Sequence, residues 1–417
     1  MSVLDYDIVI VGAGMAGSAL ACALNAAAGG RSALRIALVE ARPLRSGMPP
    51  CEFSIDGFDA RVSALTMSSR RWLESLDLWS GIVEQRSCVF TGMQVWDAEG
   101  TGKIAFDAAE VRAPALGHIV ENRVITSALL RHLRAQSVVH LYDNCTVQRL
   151  QLACDDVESQ FGNTAVVELS NGDQLHSALV VAADGADSPL RGMADLALRE
   201  WDYQHDAIVC TALVEKPHRH TAWQRFTPQG PLAFLPLPSG GGDQHYCSIV
   251  WSQTRAAAAE TAALDDAAFC HALSEAFERR LGEVSAVSRR FCFPLRQRHA
   301  VDYVKPGFAL VADAAHTIHP LAGQGINLGL ADVAALAECV GAAHQRGQPL
   351  GDIARLRQYQ RQRKGDNLAM MAAVEGFKRA FEPQPLPLRW LRNRGMHFLD
   401  GQRGIKRRII RYAMGIS

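Results

Sequence analysis

Gly12, Gly14 and Gly17 stand at Gly-x-Gly-x-x-Gly spacing, after a β-branched run at residues 7–11 and ahead of an alanine-rich stretch at 18–28 that reads as a helix. Each glycine has its own task. Gly12 permits a tight turn, Gly14 keeps side-chain atoms away from a pyrophosphate, and Gly17 lets the helix lie close on the sheet. The helix start then offers free N–H groups and the positive dipole end to the phosphates. Glu40 closes the next apolar strand, 36–39, and lies 23 residues beyond Gly17, where an acid takes a ribose hydroxyl pair. The spacing therefore predicts a dinucleotide site.

Two more acids end apolar strands. Asp184-Gly185 follows residues 179–183, and Asp313 follows residues 308–312, positions that suit the ligand crevice at the carboxyl edge of a parallel sheet. Beyond Asp313 comes Pro320, then Gly323, Gln324, Gly325, Ile326 and Asn327, where glycines before a helix offer N–H groups to a planar or anionic group. Ten residues separate Asp313 from Gly323, so this is not a second fingerprint turn. Asp313, His316 and His319, three apart, imitate a two-histidine, one-carboxylate iron site. The preceding strand and Pro320 argue instead for an irregular turn that the histidines hold by hydrogen bonds, so no metal is expected. No Ser-His-Asp or Cys-His arrangement offers a protein nucleophile.

The elements that must position these groups alternate strand and helix up to about residue 192 and again from about 290. Between 201 and 252 lie β-rich stretches at 207–214, 232–237 and 246–251, divided by Pro and Gly turns, which read as an antiparallel sheet. Asn171-Gly172 signals a hairpin. Residues 256–281 read as one helix, and the chain from 331 is helical apart from a break at 383–387. The expected fold is α/β, with a Rossmann-like domain from residues 1–80, 115–192 and 290–345 interleaved with a substrate domain from 81–114 and 193–289, then a helical region at 346–417. The 417 residues carry 43 basic and 43 acidic side chains, which removes the basic excess of a nucleic-acid binder. None of the ten cysteines stands at Cys-x-x-Cys spacing, which argues against a zinc ribbon or dithiol centre and for reduced thiols in the cytoplasm. No signal peptide or membrane span is expected.

Gly12 to Gly17, Glu40, Asp184-Gly185 and Gly307 to Asp313 together resemble the group A flavoprotein aromatic hydroxylases of the para-hydroxybenzoate hydroxylase fold, along nearly the whole chain. A narrower likeness lies in Phe58-Asp59-Ala60-Arg61-Val62-Ser63-Ala64-Leu65, in Leu116 to Asn122 and in His316 to Gly329, which are similar to the ubiquinone-biosynthesis hydroxylases. Within that group, Gly92 to Asp97, Trp201 to His205 and Cys247 to Ser252 look most like the bacterial branch acting on 2-polyprenylphenols. The resemblance implies non-covalent FAD held by Gly12, Gly14, Gly17, Glu40, Arg61, Asn122, Asp184, Gly185 and Asp313. Pro320, Gly323, Gln324, Gly325, Ile326 and Asn327 would line the isoalloxazine. It also implies NAD(P)H as co-substrate and transfer of one oxygen of O2, through a flavin hydroperoxide, to a polyprenylated phenol. The stretch 26–34 is longer than the resemblance leads one to expect.

Phe226, Leu232, Phe234, Leu235 and Trp251 are the expected pocket wall. Two other readings share the first motif: a flavin reductase or dehydrogenase acting on prenyl chains, and a lipid-binding protein with a vestigial site. From Arg389 onward eight basic residues face the single acid Asp400, and Ile405, Ile409, Tyr412 and Ile416 recur at helical spacing. Such a tail either packs on the protein's own core or meets a membrane surface or a biosynthetic complex. A homo-oligomer is compatible with the sequence.

Overall fold

A computed structural model describes residues 3–27, 33–44, 51–136, 138–152, 164–242, 244–318, 325–382 and 384–415. Strand Val3–Val11 runs parallel to Gln174–Ala182 on one side and to Ile36–Val39 on the other. Phe308–Leu310 and Val139–Tyr142 extend this parallel core outward, while Ala165–Leu169 pairs antiparallel with Gln174–Ala182 and carries Val147–Gln151 antiparallel on its other side. Ile8, Val9, Ile10, Leu38, Val180 and Leu310 are fully buried, as expected of strands covered on both faces. The predicted hairpin turns at Gly172, whose φ of +90° suits glycine.

Among the described residues a nine-stranded, mainly antiparallel sheet forms the second layer, with Val284–Val287 paired to Leu198–Val214 beside its main path. It runs from His316–Thr317 through Phe291–Ala300, Leu198–Val214, Tyr246–Thr254, Gly230–Pro236, Thr221–Thr227 and Gly92–Asp97 to Lys103–Asp107. The antiparallel block thus continues to Ala300, ten residues beyond the return to the first domain expected at 290. The single helix expected at 256–281 is two, Arg255–Ala263 and Asp266–Ala276. Asp265 caps the second by accepting a hydrogen bond from the Ala268 N–H, so the alanine-rich periodicity hides an internal start signal. A three-stranded sheet of Val62–Thr66, Gly117–Glu121 and Cys88–Phe90 was not separated by sequence pattern.

Helix Gly325–Gln345 is long and apolar enough to cross a membrane, contrary to the expectation that no such run exists. Most of it is buried, packed on the fingerprint helix Met15–Ala27, so its hydrophobicity is explained by the core. The nine described cysteines are free. Burial pushes the thiols of Cys22 and Cys88 up to about 12, which leaves them inert packing residues.

Candidate functional site

Four neighbouring parallel strands bring the acids and glycines to one edge. Gly12 follows Val3–Val11, Glu40 follows Ile36–Val39, Asp184 follows Gln174–Ala182 and Asp313 follows Phe308–Leu310. With adjacent strands about 4.8 Å apart, the four ends span about 14 Å, a row suited to an elongated ligand. Gly12 has φ +104°, and a Cβ there would lie 2.3 Å from the Ala183 carbonyl oxygen. A Cβ on Gly17 would lie 1.8 Å from the Gly12 oxygen, so these two glycines are demanded by the fold itself. Gly14 differs, because a Cβ there would meet no protein atom within 4 Å. Its bareness serves whatever lies outside the protein surface. Glu40 Oε2 accepts from the Ala13 N–H at 2.8 Å, tying the acid to the glycine turn.

Asp184 Oδ2 accepts the Leu190 N–H at 3.1 Å, whereas its Oδ1 is buried without a partner among the described residues. Burial raises the pKa of this carboxyl against the hydrogen bonds from Ser188 and Leu190. An orphaned buried acceptor beside Gly185, whose φ is +88° and whose Cβ position is open, fits a hydroxyl-bearing cofactor. Asp313 is solvent-accessible, on a short turn with protein crowded around it on its remaining sides. That crowding raises its carboxyl pKa, and His316 and Arg61 pull it back down. Buried Arg191 joins the two acidic turns, donating to the Ala314 oxygen at 2.9 Å and to the Ala186 oxygen at 3.0 Å. Sequence reading missed it; an arginine soon after an Asp-Gly turn carries no motif of its own.

Arg61 is exposed, 6.0 Å from the centre of the Phe293 ring, so it faces the antiparallel sheet. Asn122 and Asn327 are tied into the protein by their own hydrogen bonds. Asn122 Oδ1 accepts the Ser63 hydroxyl at 2.6 Å. Asn327 Oδ1 accepts the Thr66 N–H at 2.9 Å and the Ser69 hydroxyl at 2.7 Å, and its Nδ2 donates to the Ala64 oxygen at 2.8 Å. Gly325 begins its helix with open space at its Cβ position, and Ile326 packs against the main core. Pro320, Gly323, Gln324 and His319 lie outside the described residues, as do Cys154, Ile416 and part of 26–34.

Asp332, fully buried on Gly325–Gln345, anchors the Asp313 turn from behind. It accepts from His316 Nε2 at 2.5 Å, Arg363 Nε at 2.9 Å, Asn367 Nδ2 at 3.2 Å and the Ala312 N–H at 3.2 Å. Burial alone would raise its pKa, yet His316 and Arg363 outweigh that and hold the carboxyl below its ordinary value. Ala312 sits at φ +52°, an uncommon conformation for alanine. Gly329 lets the helix approach, since a Cβ there would lie 2.8 Å from that of Ala312. His316 is therefore committed to Asp332, as the reading of a histidine-held turn expected. No group of three or more metal-ligating side chains occurs among the described residues.

The expected pocket wall needs correcting. Leu232, Phe234 and Trp251 point to the far side of the sheet, onto Phe269 and Phe277, while Phe226 stacks on Phe381. Strand alternation puts Leu235 on the other face, which it shares by register with Phe226; because Phe381 covers Phe226, only Leu235 of the five packs against the three-stranded sheet, with Phe58, Leu237 and Tyr246. Val250 and Phe293 continue that face beside Arg61.

The row of strand-end acids and glycines suits an elongated dinucleotide, and similarity to known proteins makes the chain an FAD-dependent monooxygenase. Residues 69–373 match the FAD binding domain family. The chain is 35% identical to the 3-demethoxyubiquinol 3-hydroxylase of Escherichia coli, with 98% of both chains covered. It is 33% identical to the mitochondrial ubiquinone biosynthesis monooxygenase of Homo sapiens, over 98% of this chain and 92% of that one. The chain belongs to the ubiquinone-biosynthesis FAD hydroxylases. Among solved structures, a p-nitrophenol 4-monooxygenase from Pseudomonas putida shares the fold at TM-score 0.77 and 19% identity, with 99% of each chain covered. An anhydrotetracycline hydroxylase from Streptomyces rimosus does so at TM-score 0.69 and 20% identity, over 99% of this chain and 76% of that one.

Proposed function

We propose that the chain hydroxylates the ring of a polyprenylated phenol, consuming NAD(P)H and O2 and releasing NAD(P)+ and water. The observation that carries this reading is the placement of Gly14, Glu40, Asp184 and Asp313 along one sheet edge, with Arg61 and an apolar sheet face beside it. FAD, when bound and reduced, supplies the activated oxygen. The Gly12 to Gly17 turn would hold its pyrophosphate, Glu40 its ribose, and Asp313 with Asp184 its hydroxyl-bearing chain, all non-covalently. Gly185 leaves the backbone bare beside that chain, and Arg61 meets the cofactor from the opposite side. Asn122 and Asn327 act through the strand and helix starts they fix. Pro320, Gly323, Gln324, Gly325 and Ile326 would border the flavin ring. Leu235, Tyr246, Val250 and Phe293 keep water from the reacting ring and bind it by contact.

The segments Trp201 to His205 and Cys247 to Ser252 support a 2-polyprenylphenol as substrate. The 35% identity to the 3-demethoxyubiquinol 3-hydroxylase supports a later ring substrate as the second reading. Incubation of each with NAD(P)H and 18O2 decides between them: the true substrate gains one labelled ring oxygen. Label from water, or flavin turnover without mass gain on either, refutes hydroxylation. The compartment we propose is the cytoplasmic face of a membrane, where a lipid substrate is met.

A further inference from the structure

The two last helices are each fastened by one face and bare on the other. Leu386–Gly401 is held by Arg392, which pairs with buried Asp97, and by buried Met396. Arg403–Ala413 is held by Lys406, 2.9 Å from Glu110, by Ile410 and by the following Met414. The outer faces are apolar: Trp390 is 61% exposed, Leu391 60%, Phe398 60% and Tyr412 65%, with Ile405 and Ile409 also exposed. Among them stand Arg394, Arg403, Arg407, Arg408 and Arg411, whose guanidinium groups have no carboxylate partner among the described residues. A soluble surface does not ordinarily carry this many large apolar side chains together.

We propose that these two helices form a docking face for an anionic lipid bilayer. The inference rests on the reading above that the substrate carries a prenyl tail, and it adds which surface of the protein meets the bilayer. Charge complementarity selects the occupant. Five unpaired cations around an apolar patch match headgroup phosphates above acyl chains, and Trp and Tyr are the aromatic residues that favour that interface. A second copy of the chain would bring the same five cations and repel.

Full-length FAD-loaded protein is to be sedimented with phosphatidylglycerol-rich vesicles and with pure phosphatidylcholine vesicles. Binding to the first alone, weakening as salt is raised, is expected. Arg394→Gln, Arg407→Gln, Arg408→Gln and Arg411→Gln together should lower partitioning by about 5-fold per guanidinium removed. The outer-face pair Trp390→Ser and Tyr412→Ser should lower it independently of salt, with bound FAD and circular dichroism unchanged. No vesicle binding by the native chain, equal binding by the variants, or loss of a protein partner with vesicle binding intact would overturn the proposal. Hydroxylation of a short-chain, water-soluble prenylphenol is measured in parallel. Its absence beside intact vesicle binding refutes the proposed reaction, and its retention beside absent vesicle binding refutes only the docking face.

Discussion

Replacing Asp332 by Asn removes the charge that joins the Asp313 turn to the C-terminal helices. The carboxylate is fully buried and accepts from two charged or chargeable groups, His316 and Arg363, as well as from Ala312 and Asn367. An amide can satisfy only part of this set, and its NH2 group would confront donors. Breaking a buried ion pair by removing one partner costs about 3–5 kcal/mol. Part of that loss should appear at the cofactor, because the left-handed Ala312 and its neighbour Asp313 lose their anchor. Denaturant titration of FAD-loaded and FAD-free protein measures the first effect, and flavin fluorescence on dilution measures the second. The carboxyl pKa is lowered in the fold, so its contribution is present above the ordinary Asp pKa of 3.8 and disappears as pH falls through the lower folded value. Asp332→Asn should therefore lose most at neutral pH and converge with the native chain in acid. Combining Asp332→Leu with Arg363→Met, which removes both charges, should be milder than the sum of the single changes. A loss below about 1 kcal/mol for Asp332→Asn, with unchanged FAD retention, would refute the anchor.

Gly14→Ala should fold with nearly native stability, because its Cβ meets nothing in the protein, yet bind FAD more weakly; Gly17→Ala should fail at folding, its Cβ lying 1.8 Å from a carbonyl oxygen. Comparing melting with FAD titration for the two variants checks this split. Asp313→Ala should weaken FAD binding by about 10- to 100-fold, as expected for a lost hydrogen bond to a charged group, and unchanged affinity removes it from the site. Burial lowers the pKa of His218 to about 4. The folded state therefore takes up its proton later than the unfolded chain, so stability declines by about 1.4 kcal/mol per pH unit from pH 6.5 toward 4 on this account. His218→Gln should flatten that part of the stability profile measured by denaturant titration.

The local sequence determined the features that depend on neighbours in the chain. Gly12 to Gly17, the apolar strand before it and Glu40 after it are one strand, helix, strand unit, and the backbone demands that make each glycine necessary are local or nearly so. Asp184 and Asp313 were legible for the same reason, as acids that end apolar strands. Only the tertiary structure decided which of these strand ends are adjacent, since pairing joins residues over 100 positions apart. It alone revealed Asp332, Arg191 and Arg363, charges whose partners are distant and whose spacing forms no motif. The two faces of the antiparallel sheet were likewise beyond sequence, because period-2 alternation separates Leu235 from Phe234 but does not say which side meets the flavin-binding layer. The C-terminal stripe shows the same division: helical spacing grouped Ile405, Ile409 and Tyr412, and only packing through Lys406 and Ile410 decided that the stripe points outward.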